Sequence, residues 1–417
     1  MSNLQKNGNI TPMPREFGLQ GIVFAADGRP DGSPLSSVES QPRYDLVLRE
    51  RTPLTDKQLE QHDEVIKSLD SWAMKRGQEL LIPPSEIWQP SDPDLLPDPG
   101  NPEEMRRFQE MALEVPDGVL IVIAGNYVTE EAITSDQAWL NRVTAVKDHT
   151  GVDPSGWGFW TRGWSAEENR HGIVQRPWLV YSKRYNMRKV DESSHSLVAN
   201  GFDPMLSADG YEAIGYVSLQ EALTKDAHGR VGKILRYIGG SGEEGEKFAK
   251  PFTKPASDES RHETFYSEAG RELAHNDAEG FTPAVWRMLK RKFAMPGALM
   301  DDKGTYRPGQ RDTDLFRNYS LEAHASGIIT ARDIGNEIYK KIKFWGLDKV
   351  LLSGEAARAQ EELCSLPQQY TSTYERIAER AIKRSPDHKF SWLNGRIVSL
   401  TNPRITFADT KQVRSQV

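Results

Sequence analysis

The chain has 417 residues, enough for a large buried core, and its 53 basic and 60 acidic residues leave a net charge of −7 that argues against non-specific nucleic-acid binding. A single cysteine, Cys364, excludes an intramolecular disulfide and any metal site built on several thiolates, so metal ligands would have to be carboxylates and imidazoles. Mean hydropathy is strongly negative, and the longest apolar run, GVLIVIAGNYV at 118–128, is far below the roughly 20 residues that span a bilayer.

In chain order, residues 1–54 are rich in Gly, Pro and Ser without a sustained period and read as a loosely ordered arm. The first 12 residues carry neither an apolar core nor an Arg/Ser-rich amphipathic pattern, so no secretory or organelle signal is read there. From Leu54 the spacing turns helical. TDKQLEQHDEVIKSLDSWAMKRG predicts a helix opened by Thr55 as N-cap and closed near Gly77. A Pro-rich connector follows, and then about 280 residues that are mostly helical. At the end, FSWLNGRIVSL predicts a hairpin with a type I′ turn at Asn394-Gly395. No composition shift divides the chain. Residues 55–417 are expected to form one all-α domain with a small C-terminal hairpin.

Residues three apart share a helix face, so a Glu-x-x-His pair can reach one metal ion. Four of the nine histidines have that spacing: Glu168/His171, Glu192/His195, Glu259/His262 and Glu272/His275. A solvated helix face is the better explanation of any one of them taken alone. Two share more than the spacing, because both are E-x-R-H preceded by another acid, Glu167 and Asp258. A di-iron site in a four-helix bundle takes one Glu-x-x-His from each of two helices and a lone Glu from each of the other two. Glu130 and Glu221 lie 38 residues ahead of their partners, from 130 to 168 and from 221 to 259, although spacing alone does not single them out, since Glu131 adjoins the first and other acids lie nearby. Each enters an apolar stretch, where an acid is costly unless a cation compensates it.

WTRGWSAEENRHG and DESRHE are similar to the two signature motifs of the soluble acyl-carrier-protein desaturases of plant plastids and some bacteria. KSLDSWA, IWQPSDPDLLPD, VTEEA, LQEA, MPGALM and FSWLNGRIVSL extend the resemblance over some 350 residues. The resemblance implies a ferritin-like helical bundle with additional helices, paired as a homodimer. It also implies two iron ions, Glu130, Glu168 and His171 on one and Glu221, Glu259 and His262 on the other, with Glu168 and Glu259 bridging. Asp258 and Trp88 match the family's chain from an iron-bound histidine toward the surface. Glu167 lies beside the ligands, Trp164 matches a tryptophan at the site, and Thr224 matches a threonine near the oxygen-binding face.

The implied reaction places a cis double bond in an acyl chain on acyl carrier protein, with dioxygen and electrons from ferredoxin. The six ligands alone would equally serve a hydroxylase or N-oxygenase. An acidic carrier calls for local positive charge; Arg261 is the foremost candidate, with Arg317 and, in VWRMLKRKF, Arg287, Lys290, Arg291 and Lys292. GGSGEEGEK does not follow a strand in a βαβ unit and is not read as a phosphate loop. A plastid stroma and a bacterial cytoplasm both fit the sequence.

Several features depart from the family. Pro251 and Pro255 precede Asp258 in a lengthened connection, so the helix with Glu259 is expected to begin near Ala256 or to be distorted before it. DDKGTYRPGQRDTD adds a loop. Arg317 replaces a common Asp, and Trp139 and Arg142 replace smaller or uncharged residues at positions bordering the acyl cavity. These changes predict an altered chain length or double-bond position.

Overall fold

The computed structural model describes residues 51–398 apart from 144, 149, 203, 205, 292–294, 300–312 and 385–386. Its architecture is all-α, as the sequence led us to expect, with the pattern of a ferritin-like bundle. Four helices carry the site: α4 (Asp117–Glu130), α6 (Gly156–Ser182), α8 (Gly210–Gly239) and α9 (Glu243–Asn276). Around them lie α1 (Asp56–Ser68), α2 (Asp70–Leu80), α3 (Pro102–Leu113), α5 (Ile133–Leu140), α7 (Met187–Asn200), α10 (Ala278–Lys290), α11 (Thr313–Ala325), α12 (Ala331–Phe344), α13 (Gly354–Gln368) and α14 (Glu375–Arg384). Among the described residues no single helix is long and apolar enough to cross a membrane.

Local chemistry sets the helix starts. Thr55 and Gln58 form a reciprocal capping box at α1, Ser155 caps α6 by accepting from Gly158 N, and Asp209 caps α8 by accepting from Tyr211 N. The apolar run 119–128 is buried on every side of α4, so the bundle is assembled around it. On α6, Trp157, Trp160 and Trp164 recur at helical spacing and face α9, where Trp160 stacks on Phe265 with centroids 3.6 Å apart. Such a pair adds about 0.5–1.5 kcal/mol beyond the area it buries.

Several details differ from the sequence reading. The helix opened by Thr55 breaks at Leu69 and resumes as α2, which passes through Gly77 instead of ending there. Gly77 is a point of close approach: a Cβ there would lie 3.0 Å from the Phe159 ring. The arm is anchored at its end, because buried Thr52 accepts from Ala208 N; residues 1–50 lie outside the described part. The terminal hairpin pairs His388–Phe390 (β1) with Arg396–Val398 (β2), Phe390 opposite Arg396. Asn394 and Gly395 do have positive φ, 58° and 69°, but they close a wider loop that includes a 3₁₀ turn at Ser391–Leu393. The added loop DDKGTYRPGQRDTD falls almost entirely outside the described residues.

The prolines also behave otherwise than expected. Helix α9 begins at Glu243 and runs through both Pro251 and Pro255, so the lengthened connection extends two helices and leaves only a short turn between them. Proline sacrifices a backbone bond in mid-helix. Packing outweighs that loss here: Phe248, Pro251, Phe252 and Pro255 are buried, and Trp178 Nε1 donates to the Phe248 carbonyl at 2.9 Å. The turn itself is made by glycines. Gly240 and Gly242 have φ of 74° and 132°, and a Cβ on Gly245 would stand 2.2 Å from the Gly240 carbonyl oxygen.

This turn fixes α8 against α9, and with them half of the site. Gly245→Ala is expected to lower unfolding free energy by about 1–3 kcal/mol, read from the urea midpoint. An unchanged midpoint would show that the turn relaxes freely.

Candidate metal centre

The structure brings together all six carboxylate and imidazole side chains singled out in the sequence. Glu130 ends α4, Glu168 and His171 lie one turn apart on α6, Glu221 is on α8, and Glu259 and His262 lie one turn apart on α9. Their donor atoms form two overlapping groups, Glu130/Glu168/His171/Glu259 and Glu168/Glu221/Glu259/His262, each within 4.8 Å. Glu168 and Glu259 belong to both. The other Glu-x-x-His pairs lie outside: His195 and His275 are exposed, and Glu192 pairs with Arg188 and Lys189.

Each histidine turns Nδ1 inward and Nε2 toward an outer acid. His171 Nδ1 is 3.2 Å from Glu168 and 3.4 Å from Glu130, while its Nε2 is 3.4 Å from Asp258 Oδ2. His262 Nδ1 is 2.7 Å from Glu168, while its Nε2 is 3.0 Å from Glu167 Oε2. An outer carboxylate that accepts the Nε2 proton leaves the Nδ1 lone pair for the centre.

The outer acids are themselves held. Trp88 Nε1 donates to both oxygens of Asp258, at 3.2 and 3.1 Å, and Arg170 donates to Asp258 Oδ2 at 2.8 Å and to the Trp88 carbonyl at 2.7 Å. Arg261 donates to Glu167 at 2.6 Å, to Asp258 at 2.9 Å and to the Leu80 carbonyl at 2.9 Å. These bonds make Arg261, which is only half-buried, a brace for both acids. Trp164 Nε1 donates to Glu221 Oε1 at 3.2 Å.

Electrostatics give the cluster its need for cations. Burial disfavours charge on His171, yet Glu168 and the other acids outweigh it and raise its pKa well above 6.5. At His262 burial is likewise outweighed, there by the hydrogen bonds its ring donates to Glu167 and Glu168. Burial, then Glu168 and Glu221, pushes Glu259 well above the carboxylate range. His171 Nδ1, Glu221 Oε2 and Glu259 Oε2 are buried without a hydrogen-bond partner. Orphaned inward donors in an all-oxygen-and-nitrogen set fit a pair of divalent ions such as iron or manganese.

Two cavities meet at the cluster. A mainly apolar one of about 110 Å³ is lined by Leu223, Met295, Phe316, Tyr319 and Ile334 and ends on Glu130, Thr224 and His228. A polar one of about 20 Å³ shares Thr129, Glu130 and Thr224 with it and continues past Glu168, Glu221 and Glu259 to Asp136 and Gln220. Thr224 donates to the Gln220 and Glu221 carbonyls and borders both spaces.

The remaining site residues divide. Arg317 is half-buried beside the cavity-lining Phe316. Trp139 is buried against Tyr216, with its indole donating to Asp136 at 3.0 Å. Arg142 is exposed and lines neither cavity, contrary to the sequence reading, because the helix ends at Leu140 and the turn carries it outward. Arg287 is buried in ion pairs with Asp209 and Glu212, and Arg291 also pairs with Glu212, so neither offers the open charge expected of it. Lys290 is exposed over the Trp286 ring, and Lys292 lies outside the described residues.

Two residues were missed. His228 is buried with Nε2 in contact with Glu130; it lies seven residues, two turns, after Glu221, a spacing that could have revealed it. Asp136 is 5% exposed, and burial pushes its carboxyl up to about 8, with Glu168 adding to the effect against the Trp139 hydrogen bond. Its only signal was an acid inside ITSDQAWL.

A profile of the family described as fatty acid desaturase matches residues 61–394, most of the chain. The chain belongs to the fatty acid desaturase family. It is 36% identical to the chloroplastic stearoyl-[acyl-carrier-protein] 9-desaturases of spinach and of Ricinus communis, in each case over 81% of this chain and 82% of the relative. The same identity and shares relate it to the chloroplastic acyl-[acyl-carrier-protein] desaturase of Cucumis sativus.

Two outcomes follow from this geometry. A metal entering the centre displaces the protons held by His171 and His262, so apparent affinity should strengthen with pH, by up to about tenfold per unit for each proton displaced. Chelator competition between pH 6 and 8 measures this, and a flat profile would contradict it. Asp258→Ala frees His171 Nε2 and strands the buried Arg170 charge; it should weaken metal binding about 10–100-fold and stability by about 3 kcal/mol, measured by metal titration and chemical unfolding.

Proposed function

We infer that this protein is an acyl-[acyl-carrier-protein] desaturase, an oxidoreductase that places a cis double bond in a saturated acyl chain using dioxygen and two electrons. One observation carries the reading: an apolar cavity ends on Glu130 and Thr224, at the face of the six-residue cluster. Its relatives' names and the family assignment support the same reaction class.

Two ferrous ions would be held by Glu130 and His171 on one side and Glu221 and His262 on the other, with Glu168 and Glu259 shared. When bound, they supply the dioxygen activation that an unactivated C–H bond requires. The balance is closed: two hydrogens leave adjacent methylenes and join two protons and two electrons, and dioxygen leaves as two waters. The protein's own part is placement and exclusion of water. Leu223, Phe316 and Ile334 hold the chain against Thr224, and Asp258 and Glu167 keep the two imidazoles turned inward. The Trp88–Asp258–His171 line reaches from the cluster toward the outside and is the proposed path for electrons from ferredoxin.

A homodimer is part of this proposal. Ile173 and Val180 lie exposed two turns apart on α6, an apolar strip that a second copy would cover. A plastid stroma or a bacterial cytoplasm would supply both carrier and ferredoxin. Arg317 beside Phe316 and Trp139 beyond the cluster are proposed to shift the double bond away from the delta-nine position.

Iron-loaded protein with ferredoxin, its reductase and stearoyl carrier protein tests the reading, with mass spectrometry of the released acyl chain. A product lighter by two hydrogens is expected, and a product that gains oxygen would overturn it. Formation of only the delta-nine isomer would remove the claim about position and leave the reaction class standing.

A further inference from the structure

Two lines of aromatic side chains leave the cluster, one behind each histidine. Behind His171 stands Trp88, already part of the proposed path for incoming electrons. Behind His262 the line is longer and crosses three helices. Trp160 and Trp164 on α6 make edge contacts with the His262 ring, centroids 6.1 and 6.5 Å apart, and Trp164 Nε1 donates to Glu221. Tyr266 on α9 touches both indoles, 5.8 Å from Trp160 and 6.3 Å from Trp164. Trp160 stacks on Phe265 at 3.6 Å, and Phe265 meets Trp72 of α2 at 5.3 Å. The first four rings are buried, whereas Trp72 is half-buried and brings the line to solvent.

None of the contacts between Trp164 and Trp72 includes a cluster ligand, so the line is fixed by the packing of α2, α6 and α9 whatever the cluster holds. Packing by itself asks only for bulk, which Leu or Phe supplies without an N–H to satisfy. Indole adds a property those side chains lack: it gives up an electron and takes one back. Electron transfer weakens steeply with distance and is fast between rings in contact, so a continuous line matters more than any one ring.

The proposed reaction creates a use for such a line. Dioxygen takes four electrons and four protons to leave as two waters, and only two of those electrons come from the external donor. The other two come from the acyl C–H bonds. When no acyl chain is bound, that second pair has no source, and oxidising power is left beside His262 and Glu221.

We propose that Trp164, Trp160 and Trp72, with Tyr266 and Phe265 as bridging rings, form an electron relay that discharges the centre when dioxygen reacts without substrate. Two one-electron transfers run inward from a soluble thiol at Trp72; each indole is oxidised and then reduced in turn, and no bond in the protein is made or broken. Two thiols become one disulfide and release two electrons and two protons. With two electrons from the donor and two protons from solution, these complete the conversion of dioxygen to two waters. This inference rests on the desaturase reading, which supplies the oxidant.

The test uses full-length iron-loaded protein, reduced and then exposed to dioxygen with catalase present and no acyl carrier protein. Freeze-quench electron paramagnetic resonance on protein with ring-deuterated tryptophan reads the radical, and peptide mass spectrometry reads oxidation at each tryptophan. Without thiol, wild type should show a tryptophan radical and oxidise Trp72 severalfold more than Trp286, which is also half-buried but off the line. Added thiol, or stearoyl carrier protein, should suppress both signals. Trp160→Phe should abolish the excess at Trp72. Trp72→Phe should leave oxidation on Trp160 and Trp164 and make it insensitive to thiol, while stearoyl desaturation stays at the wild-type level.

Equal oxidation of Trp72 and Trp286 overturns the relay, as does an excess at Trp72 that survives in folded Trp160→Phe. A radical signal that ring deuteration leaves unchanged has the same consequence. Should Trp160→Phe not fold, Trp72→Phe decides, because thiol that still protects Trp160 and Trp164 in that variant refutes the route through Trp72. If stearoyl is desaturated in any of these cases, the proposed reaction class stands; if the reduced protein takes up no dioxygen with or without stearoyl carrier protein, both readings fall together.

Discussion

Four glutamates brought together in a dry core repel one another, and among the described residues the imidazoles of His171 and His262, with His228 against Glu130, are what offsets them. Burying such a group is worth several kcal/mol of destabilisation for each unpaired charge. The opposed shifts of its members express that strain: His171 and His262 are held protonated, and Glu259 is driven toward its neutral form. Bound divalent metal would remove the conflict at once. Much of the surrounding architecture serves to keep those ligands converging, since the protein must hold them against their own repulsion.

Rigid long helices provide the restraint. Each Glu-x-x-His pair is locked by helix periodicity, and each histidine is locked from behind by an acid that is in turn fixed by Arg170, Arg261 and Trp88. Arg261 links the two halves, because it touches both Glu167 behind His262 and Asp258 behind His171. The same outer layer separates a polar side of the cluster from an apolar one. Opposite the outer acids lie Thr224 and the two cavities, so one face of the centre is braced and the other is open to a guest.

How much of this was legible in the sequence follows from which features are local. The all-α class, the Thr55 cap and the two repeated motifs are properties of spacing, and spacing survives folding. Resemblance to a known family narrowed which acids accompany the motifs. The failures arise where long-range packing overrides a local rule. Pro251 and Pro255 read as a break, but buried contacts and the Trp178 bond carry α9 straight through them. Gly77 read as a helix end, but its smallness serves Phe159. Arg261 and Arg287 read as surface charge, and each is consumed by acids distant in sequence. Asp136 was overlooked because a lone titratable residue has no pattern until the fold shows what it faces, whereas His228, two turns after Glu221, carried a spacing that went unread.

The central claim is that Glu168 belongs to both halves of a two-metal centre, so that removing it undoes both. Metal analysis of iron-reconstituted wild type and Glu168→Ala, alongside a far-ultraviolet spectrum to verify folding, tests this most directly. Two irons per wild-type chain and none, or nearly none, in the folded variant is the predicted result. A variant that keeps both irons, or a wild type that binds only one, would contradict the account.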